Sequence, residues 1–105
     1  MQVDACLCFF GVADVFRALD DETRRLILDE LASRDGQSLF EICTALTMRH
    51  GVGSSRQAIS QHLAVLEDAG LVTTERRGRT KLHFFIRGPL AAISQRWPII
   101  RRDVP

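Results

Sequence analysis

The stretch SSRQAISQHLAVLEDAGLV, residues 54–72, is the most informative part of the chain. Apolar side chains recur in it at helical spacing, at Ile59, Leu63 and Leu66, and predict a helix that packs one face against a core. The opposite face is short, uncharged and able to form hydrogen bonds, and it consists of Gln57, Ser60, Gln61 and Ala64. Such side chains suit the edges of bases in a DNA major groove, whereas a salt-bridged surface helix presents Glu and Lys. The stretch therefore predicts a helix that reads DNA.

Two β-prone segments follow this helix. Gly70 is a natural helix end, and residues 71–75 and 80–86 are rich in β-branched and aromatic side chains. The basic segment 76–79, RRGR, is predicted to be the turn between them. Apolar residues of the second segment alternate toward one face, at Leu82, Phe84 and Ile86. A polar-faced helix followed by a hairpin with a basic tip predicts a winged helix-turn-helix, whose helix enters the major groove while the wing reaches flanking backbone or minor groove.

Charge is distributed unevenly along the chain, although its formal net charge is only +1. Residues 1–50 hold five Arg and nine Asp or Glu, a balance of −4. Residues 51–105 hold nine Lys or Arg and four acids, a balance of +5, and the two halves sum to +1. Because DNA affinity depends on basic groups near phosphates, the local excess favours double-stranded DNA as the partner. Solvation of surface arginines is the weaker alternative, since three of them lie in one predicted turn.

Length and composition predict a single domain over residues 1–105, with 46% apolar residues for a small core. No apolar run approaches the ~18 residues of a transmembrane helix, so no membrane partner is expected. The start of the sequence lacks the basic region of a secretory signal. The odd number of cysteines, three, does not predict a disulfide framework. These features predict a cytoplasmic protein.

Three helices are predicted before residue 54. Apolar spacing places the first over about residues 9–19. Asp20 or Asp21 can cap the second, which runs to about Arg34. Its buried face consists of Leu26, Ile27, Leu28 and Leu31.

A capping box, SLFE at residues 38–41, starts the third helix. Its inner stripe consists of Leu39, Ile42, Cys43 and Leu46. Residues 48–54 are predicted to be a loop, and Ser55 is predicted to cap the DNA-reading helix.

A short last helix is predicted after the hairpin. Gly88-Pro89 opens it, because proline is favoured at a first helical position, and Pro98 ends it. Leu90, Ile93 and Trp97 form one face. The complete set of elements predicts a mainly α fold with a small β-hairpin wing, a winged helix-turn-helix in the order ααααββα.

The chain resembles the ArsR/SmtB family of bacterial winged-helix regulators. Residues 15–28, VFRALDDETRRLIL, are similar to the family's opening segment, "ALADPTRR-IL", and residues 58–72, AISQHLAVLEDAGLV, resemble its recognition segment, "AVSxHLxVLxxAGLV". The segment Arg77-Gly78-Arg79 falls at the family's wing. The match covers about residues 12–97, and the two motifs in this order and separation are strongly specific. The predicted loop 48–54 departs from the usual short helix-turn-helix connection.

The resemblance implies a homodimeric repressor that leaves operator DNA when an inducer arrives, with a dimer interface formed by the first and last helices. Two regions are independently more apolar than a monomer of this size needs. The interface residues predicted from them are Phe9, Phe10, Val12, Leu90, Ile93 and Trp97.

The residues predicted to contact DNA are those of the polar helix face, its N-terminus and the basic hairpin. They are Ser55, Arg56, Gln57, Ser60, Gln61, His62, Arg76, Arg77, Arg79 and Lys81. For His62 a structural or phosphate-contact role is favoured over a ligand role. His83 is predicted to be solvated or near DNA, because it shares a strand face with Lys81.

Cysteines raise the question of metal sensing. Many family members bind soft metals or arsenite through a Cys pair in the third helix, in a segment like "ELCVCDL". Here only the first is kept, as Cys43, and the second position is Ala45. Cys6, Cys8 and Cys43 could form a three-sulfur site for As(III), Cd(II) or Zn(II). Ordinary packing of all three is the favoured interpretation, so no resident metal or cofactor is expected.

No Ser/His/Asp or Cys/His set has a spacing that indicates catalysis, and there is no Gly-rich phosphate loop, so an enzyme is not predicted. Two functions from different classes remain. The favoured one is a dimeric, sequence-specific DNA-binding transcriptional repressor. The other is a winged-helix module for protein–protein interaction, with a wing that is merely solvated.

Overall fold

A computed structural model describes residues 15–100. Residues 15–19 are helical and form α1. The predicted start of this helix lies outside the described residues, as do the predicted interface residues Phe9, Phe10 and Val12.

Helix α2, Glu22–Ser33, begins where the sequence predicts a cap. The Asp21 carboxylate is the N-cap and accepts a hydrogen bond from the backbone N–H of Arg24 at 3.0 Å. The helix buries Ile27, Leu28 and Leu31, while Leu26 is half-buried against the same core.

Helix α3, Leu39–His50, begins at the predicted capping box. Ser38 Oγ accepts from the N–H of Glu41, and the Glu41 carboxylate accepts from the N–H of Ser38. The prediction of a loop from residue 48 is wrong, because the helix continues to His50 and ends at Gly51. The turn to the next helix therefore covers residues 51–55, which is closer to an ordinary helix-turn-helix connection.

Helix α4, Arg56–Asp68, is the predicted DNA-reading helix. Ser55 caps it, as the sequence predicts, by accepting a hydrogen bond from the N–H of Ala58 at 3.1 Å. Ile59, Leu63 and Leu66 are fully buried and join α4 to the inner faces of α2 and α3 in one core.

Strands β1, Val72–Arg77, and β2, Thr80–Phe85, form an antiparallel hairpin in which Arg77 pairs with Thr80. Only Gly78 and Arg79 form the turn, so Arg76 and Arg77 belong to β1 and the prediction of a four-residue basic turn is wrong in extent. Gly78 has φ +63°, as the first position of a two-residue II′-type hairpin turn requires. Because the turn has only two residues, the strands stay paired up to the tip of the hairpin.

A further backbone segment pairs with the outer edge of β2. Gln37 forms an isolated antiparallel bridge with His83, whose N–H donates to the Gln37 carbonyl at 2.8 Å. Gly36 comes close to the Phe84 ring, since a Cβ there would lie 3.1 Å from a ring carbon, and its φ is +72°. Both facts favour glycine at position 36.

This pairing corrects two predictions about β2. His83 is only 4% exposed, so the prediction of a solvated side chain is wrong. The strand turns His83 and Phe85 toward the interior, whereas Ile86, which the alternation predicts on an inner face with Leu82 and Phe84, is exposed. The Gln37 bridge covers the β2 edge beside His83, and α2 and α3 both pack against this strand.

The chain then forms a 3-10 turn, Gly88–Leu90, and a short helix α5, Ala91–Arg96. The Trp97 ring packs edge-on against Phe16 of α1, with ring centroids 6.0 Å apart. The order of described elements is α1-α2-α3-α4-β1-β2-α5, a winged helix-turn-helix, and the predicted fold class is confirmed. No helix among residues 15–100 is long and apolar enough to cross a membrane.

Candidate nucleic-acid interface

The outward face of α4 carries the polar side chains that the sequence singles out. Gln57, Ser60, Gln61 and Ala64 are all exposed, as is Arg56 at the first helical position. Because Ile59 and Leu63 hold the opposite face in the core, these side chains are fixed on a rigid helix. A face of this kind can donate to and accept from base edges.

Arg24 of α2 ties α4 to the rest of the domain. Its guanidinium donates to the backbone carbonyls of Ala18 at 2.8 Å and Arg17 at 3.2 Å, and to Nδ1 of His62 at 3.2 Å. Since arginine can only donate, His62 Nδ1 is the acceptor and the ring proton lies on Nε2. His62 is half-buried. Its Nδ1 has the predicted structural role, and its Nε2 is a hydrogen-bond donor that suits the predicted phosphate contact.

Asp21 completes this connection. Burial alone would raise the pKa of Asp21, but the hydrogen bond from the N–H of Arg24 and the charge of the Arg24 guanidinium hold that pKa below its ordinary value. Arg24 therefore faces an ionised carboxylate across 3.9 Å at neutral pH.

The buried carboxylate of Glu30 holds the end of α3, just before the turn that leads to α4. Glu30 of α2 is 4% exposed, and it accepts from Arg49 at 3.2 Å and contacts His50 at 3.1 Å. Both partners lie in the last turn of α3, immediately before the 51–55 connection. The start of α4 is therefore set by a paired charge as well as by packing.

The hairpin tip is basic and open. Arg76, Arg77, Arg79 and Lys81 are all exposed. Arg77 forms an ion pair with Glu75 at 3.0 Å, whereas the other three have no acidic partner among the described residues. Arg76 and Lys81 lie directly opposite each other across the strands, a repulsive arrangement that a phosphate would relieve.

The exposed apolar side chains near the C-terminus form a second surface. Trp97 is 60% exposed and Ile99 80%, while Leu90 and Ile93 are half-buried. The contact between Trp97 and Phe16 brings α1 and α5 side by side, as an interface built from both helices requires.

Of the three cysteines, Cys43 alone lies within the described residues. Cys43 is half-buried on α3 against the core, where burial raises the pKa of its thiol. Cys6 and Cys8 lie outside the described residues, so a three-sulfur site stays a prediction. Residues 15–100 contain no cluster of three His, Cys, Asp or Glu side chains that could hold a metal ion.

Solved structures with the same arrangement of elements include ArsR-type regulators. An ArsR-like transcriptional regulator from Rhodococcus sp. RHA1 superposes with a TM-score of 0.70 at 34% identity, covering 91% of this chain and 79% of that one. HlyU from Vibrio cholerae superposes with a TM-score of 0.64 at 25% identity, covering 90% and 91%.

Sequence comparison agrees with the structural one. A family model described as a helix-turn-helix domain matches residues 19–75, more than half of the chain. The HTH-type transcriptional regulator YuzN of Bacillus subtilis is 46% identical over 83 residues, covering 79% of this chain and 90% of that protein. The chain belongs to the ArsR family of winged helix-turn-helix transcriptional regulators. This is a family of DNA-binding proteins and not of enzymes.

A second relative is the HTH-type transcriptional regulator KmtR of Mycobacterium tuberculosis. It is 42% identical over 69 residues, which is 66% of this chain and 48% of that protein. The match therefore spans about half the length of this second relative.

Sequence reasoning missed the side chains that position α4. Arg24 and Glu30 are charged residues on a helix, and nothing in the local pattern distinguishes them from solvated ones. Their partners, His62 and the pair Arg49 and His50, are 38, 19 and 20 residues away, respectively. Only the packing of α2 across α3 and α4 brings them together.

Proposed function

We propose that this ArsR-family regulator is a homodimeric, sequence-specific repressor, in which α4 reads the major groove and the hairpin tip binds flanking phosphates. The observation that supports it most is the contrast between two neighbouring surfaces. The outward face of α4 is exposed, uncharged and hydrogen-bonding, and beside it stands a basic tip whose cations, Arg77 apart, have no acidic partner among residues 15–100.

The residues divide by role. Gln57, Ser60 and Gln61 contact base edges, and Arg76, Arg79 and Lys81 contact the backbone. Ser55 and Arg56, at the α4 N-terminus, are placed for phosphate contacts, as is Nε2 of His62. Arg77 contributes less to backbone binding, since Glu75 already pairs with it.

The first test separates base reading from backbone binding. Genomic fragments retained by the purified protein are sequenced, and the enriched site is used in a binding assay over a range of salt concentrations. We expect a palindrome whose half-sites lie about one helical turn apart, bound with a steep salt dependence. Gln61→Ala should lose about 1–3 kcal/mol of preference at one base pair while its salt dependence stays unchanged.

Gln95→Ala is the matched control, because it removes an exposed glutamine outside the α4 face, and it should leave the preference between base pairs unchanged. Retention of every duplex equally by the wild-type protein, with a shallow salt response, would contradict specific operator binding. It would favour the alternative of a module that binds another protein.

We propose that α1 and α5 form the dimer interface, with Trp97 and Ile93 buried between subunits. Both are apolar, Trp97 is largely exposed in the single chain, and α1 packs beside it. Two reading helices on one palindrome bind far more tightly than one.

Trp97→Glu tests this interface by placing a charge in the apolar contact. The variant should be monomeric by light scattering and bind the operator at least about tenfold more weakly. Ile86→Glu, a change at an exposed apolar residue away from α5, is the control and should stay dimeric. Persistence of the Trp97→Glu dimer would move the interface elsewhere.

A further inference from the structure

A cavity of about 380 Å³ opens between the hairpin, α4 and the N-terminus of α3. Leu39, Phe40 and Leu63 give it apolar lining residues, and Ser38, Ser60 and Thr80 are polar residues of the same wall. It is therefore large enough for a small organic molecule and provides both apolar and polar contacts.

His83 lies in the wall of this cavity with one ring nitrogen unused. It is 4% exposed, and its Nδ1 lies 2.9 Å from the Gln37 carbonyl oxygen. A carbonyl can only accept, so Nδ1 carries the proton and Nε2 of the neutral ring is a hydrogen-bond acceptor. Within residues 15–100, no group forms a hydrogen bond with Nε2. Every polar side-chain atom that is sealed from solvent in these residues has a hydrogen-bond partner. Nε2 is therefore not sealed from solvent, and the cavity whose wall includes His83 is the open space that we assign to it.

Charge around the cavity is strongly asymmetric. Arg56 from α4, Arg79 from the turn and Lys81 from β2 all line it, against a single acid, Glu67. Arg79 and Lys81 have no acidic partner among the described residues. An anion in the cavity would be attracted by three cations from three elements.

We propose that this cavity binds a small hydroxylated organic acid with an apolar body. The carboxylate lies among Arg56, Arg79 and Lys81, the body packs on Leu39 and Phe40, and the hydroxyl donates to Nε2 of His83. A neutral imidazole acceptor, next to cations that select an anion, distinguishes this ligand from a simple phosphate. DNA backbone is the less favoured occupant, because it cannot bring a donor to a histidine that is only 4% exposed.

The site has a regulatory consequence, which rests on the proposed function. Arg56, Ser60, Arg79 and Lys81 belong both to the cavity wall and to the proposed DNA surface. A bound acid neutralises cations that would otherwise contact phosphates, so acid and operator compete for the same side chains. The acid is thus an inducer that acts without a distant conformational change.

The test uses the whole protein, with 4-hydroxybenzoate as the probe. Binding is measured by calorimetry and by changes in the NMR shifts of backbone amides and imidazoles. Its carboxylate and hydroxyl lie at opposite ends of an apolar ring. Benzoate lacks only the hydroxyl, and inorganic phosphate lacks the ring. At concentrations to about 10 mM, we expect 4-hydroxybenzoate to bind more tightly than benzoate by about fivefold to tenfold, and phosphate to bind most weakly.

Four variants locate the bound molecule. Arg79→Ala should weaken 4-hydroxybenzoate binding by about tenfold, while Arg77→Ala, a matched loss of charge outside the cavity, should leave it unchanged. His83→Asn keeps a donor for the Gln37 carbonyl but removes Nε2, and it should abolish the preference over benzoate. Phe40→Ala changes a side chain that is 64% exposed, so it should fold normally and weaken both aromatic acids. The Phe40→Ala variant therefore still tests the proposal if His83→Asn does not fold.

Failure of all three probes to bind, in a protein that still binds its operator, would overturn the site and leave the groove as DNA surface. Equal binding of benzoate and 4-hydroxybenzoate would overturn the role of His83 Nε2. Binding of 4-hydroxybenzoate with no operator binding would instead contradict the proposed function while confirming the cavity. Release of operator DNA by 4-hydroxybenzoate but not by benzoate at equal concentration would support the whole proposal.

Discussion

The two ends of the hairpin differ in burial and in what holds them in place. At the base, Val72 and His83 are buried, the N–H of Ile86 donates to Leu71, and the N–H of Phe85 donates to the Asp35 carboxylate. At the tip every residue from Glu75 to Lys81 is exposed, and the strands are held by their own pairing. One element therefore combines an anchored base with a free, basic end.

The difference shows how a small domain can hold a wing firmly and still leave its charges available. The base is fixed by residues 35–37, which come from the α2–α3 connection and not from the hairpin itself. The tip needs only a correct turn, because its side chains are exposed to solvent. Substitutions at the base should thus cost stability, and substitutions at the tip should cost DNA binding.

The largest effect on stability is expected at Gln37. Its buried side-chain amide donates to the carbonyls of Glu30 at 3.1 Å and Arg34 at 2.6 Å, at the end of α2. Gln37→Leu would leave at least the Arg34 carbonyl without this partner, and it should lower the free energy of unfolding by about 2–3 kcal/mol. Denaturant unfolding measures this, with the exposed Gln95→Leu as a control expected to stay within about 0.5 kcal/mol. A loss no larger than the control's would show that the base does not depend on residues 35–37.

An intermediate effect is expected at Gly78, at the tip. Its φ is +63°, and a Cβ added there would meet no atom within 4 Å, so Gly78→Ala should cost only conformational strain. We expect the free energy of unfolding to fall by about 1–2 kcal/mol in thermal or denaturant unfolding. Gly53→Ala is the matched control, because Gly53 has equal space without a positive φ and should be neutral or slightly stabilising. Equal results for the two glycines would mean that the turn is not strained by a side chain.

The smallest effect on stability is expected at Arg79. Arg79→Ala should change the free energy of unfolding by less than about 0.5 kcal/mol, yet reduce the slope of log affinity against log salt by about 0.9 for each phosphate that the variant no longer neutralises. Arg87→Ala removes an equal charge at the base, where the guanidinium stacks 4.5 Å from the Phe85 ring centroid. That control should leave the salt slope unchanged. An equal change of slope in both variants would remove the distinction between tip and base.

Most of the fold could be predicted from local patterns in the sequence. Helical spacing in α2, α3 and α4, the caps at Asp21, Ser38 and Ser55, and the hairpin with its glycine turn are local patterns, because each depends on residues within one or two helical turns. The exposed polar face of α4 is predictable for the same reason, since Ile59, Leu63 and Leu66 define where its opposite side must lie.

Which polar side chains are buried, and which groups they contact, depends on how the helices and strands pack together. In the sequence His83 has the pattern of a solvated strand residue beside Lys81, and only the pairing of Gln37 with β2 turns its imidazole inward. Arg24 and Glu30 support α4 and the turn before it, through partners 38, 19 and 20 residues away. Local periodicity reports which face of an element is apolar, but the partner of a buried charge is set by how elements pack, and that information is spread along the whole chain.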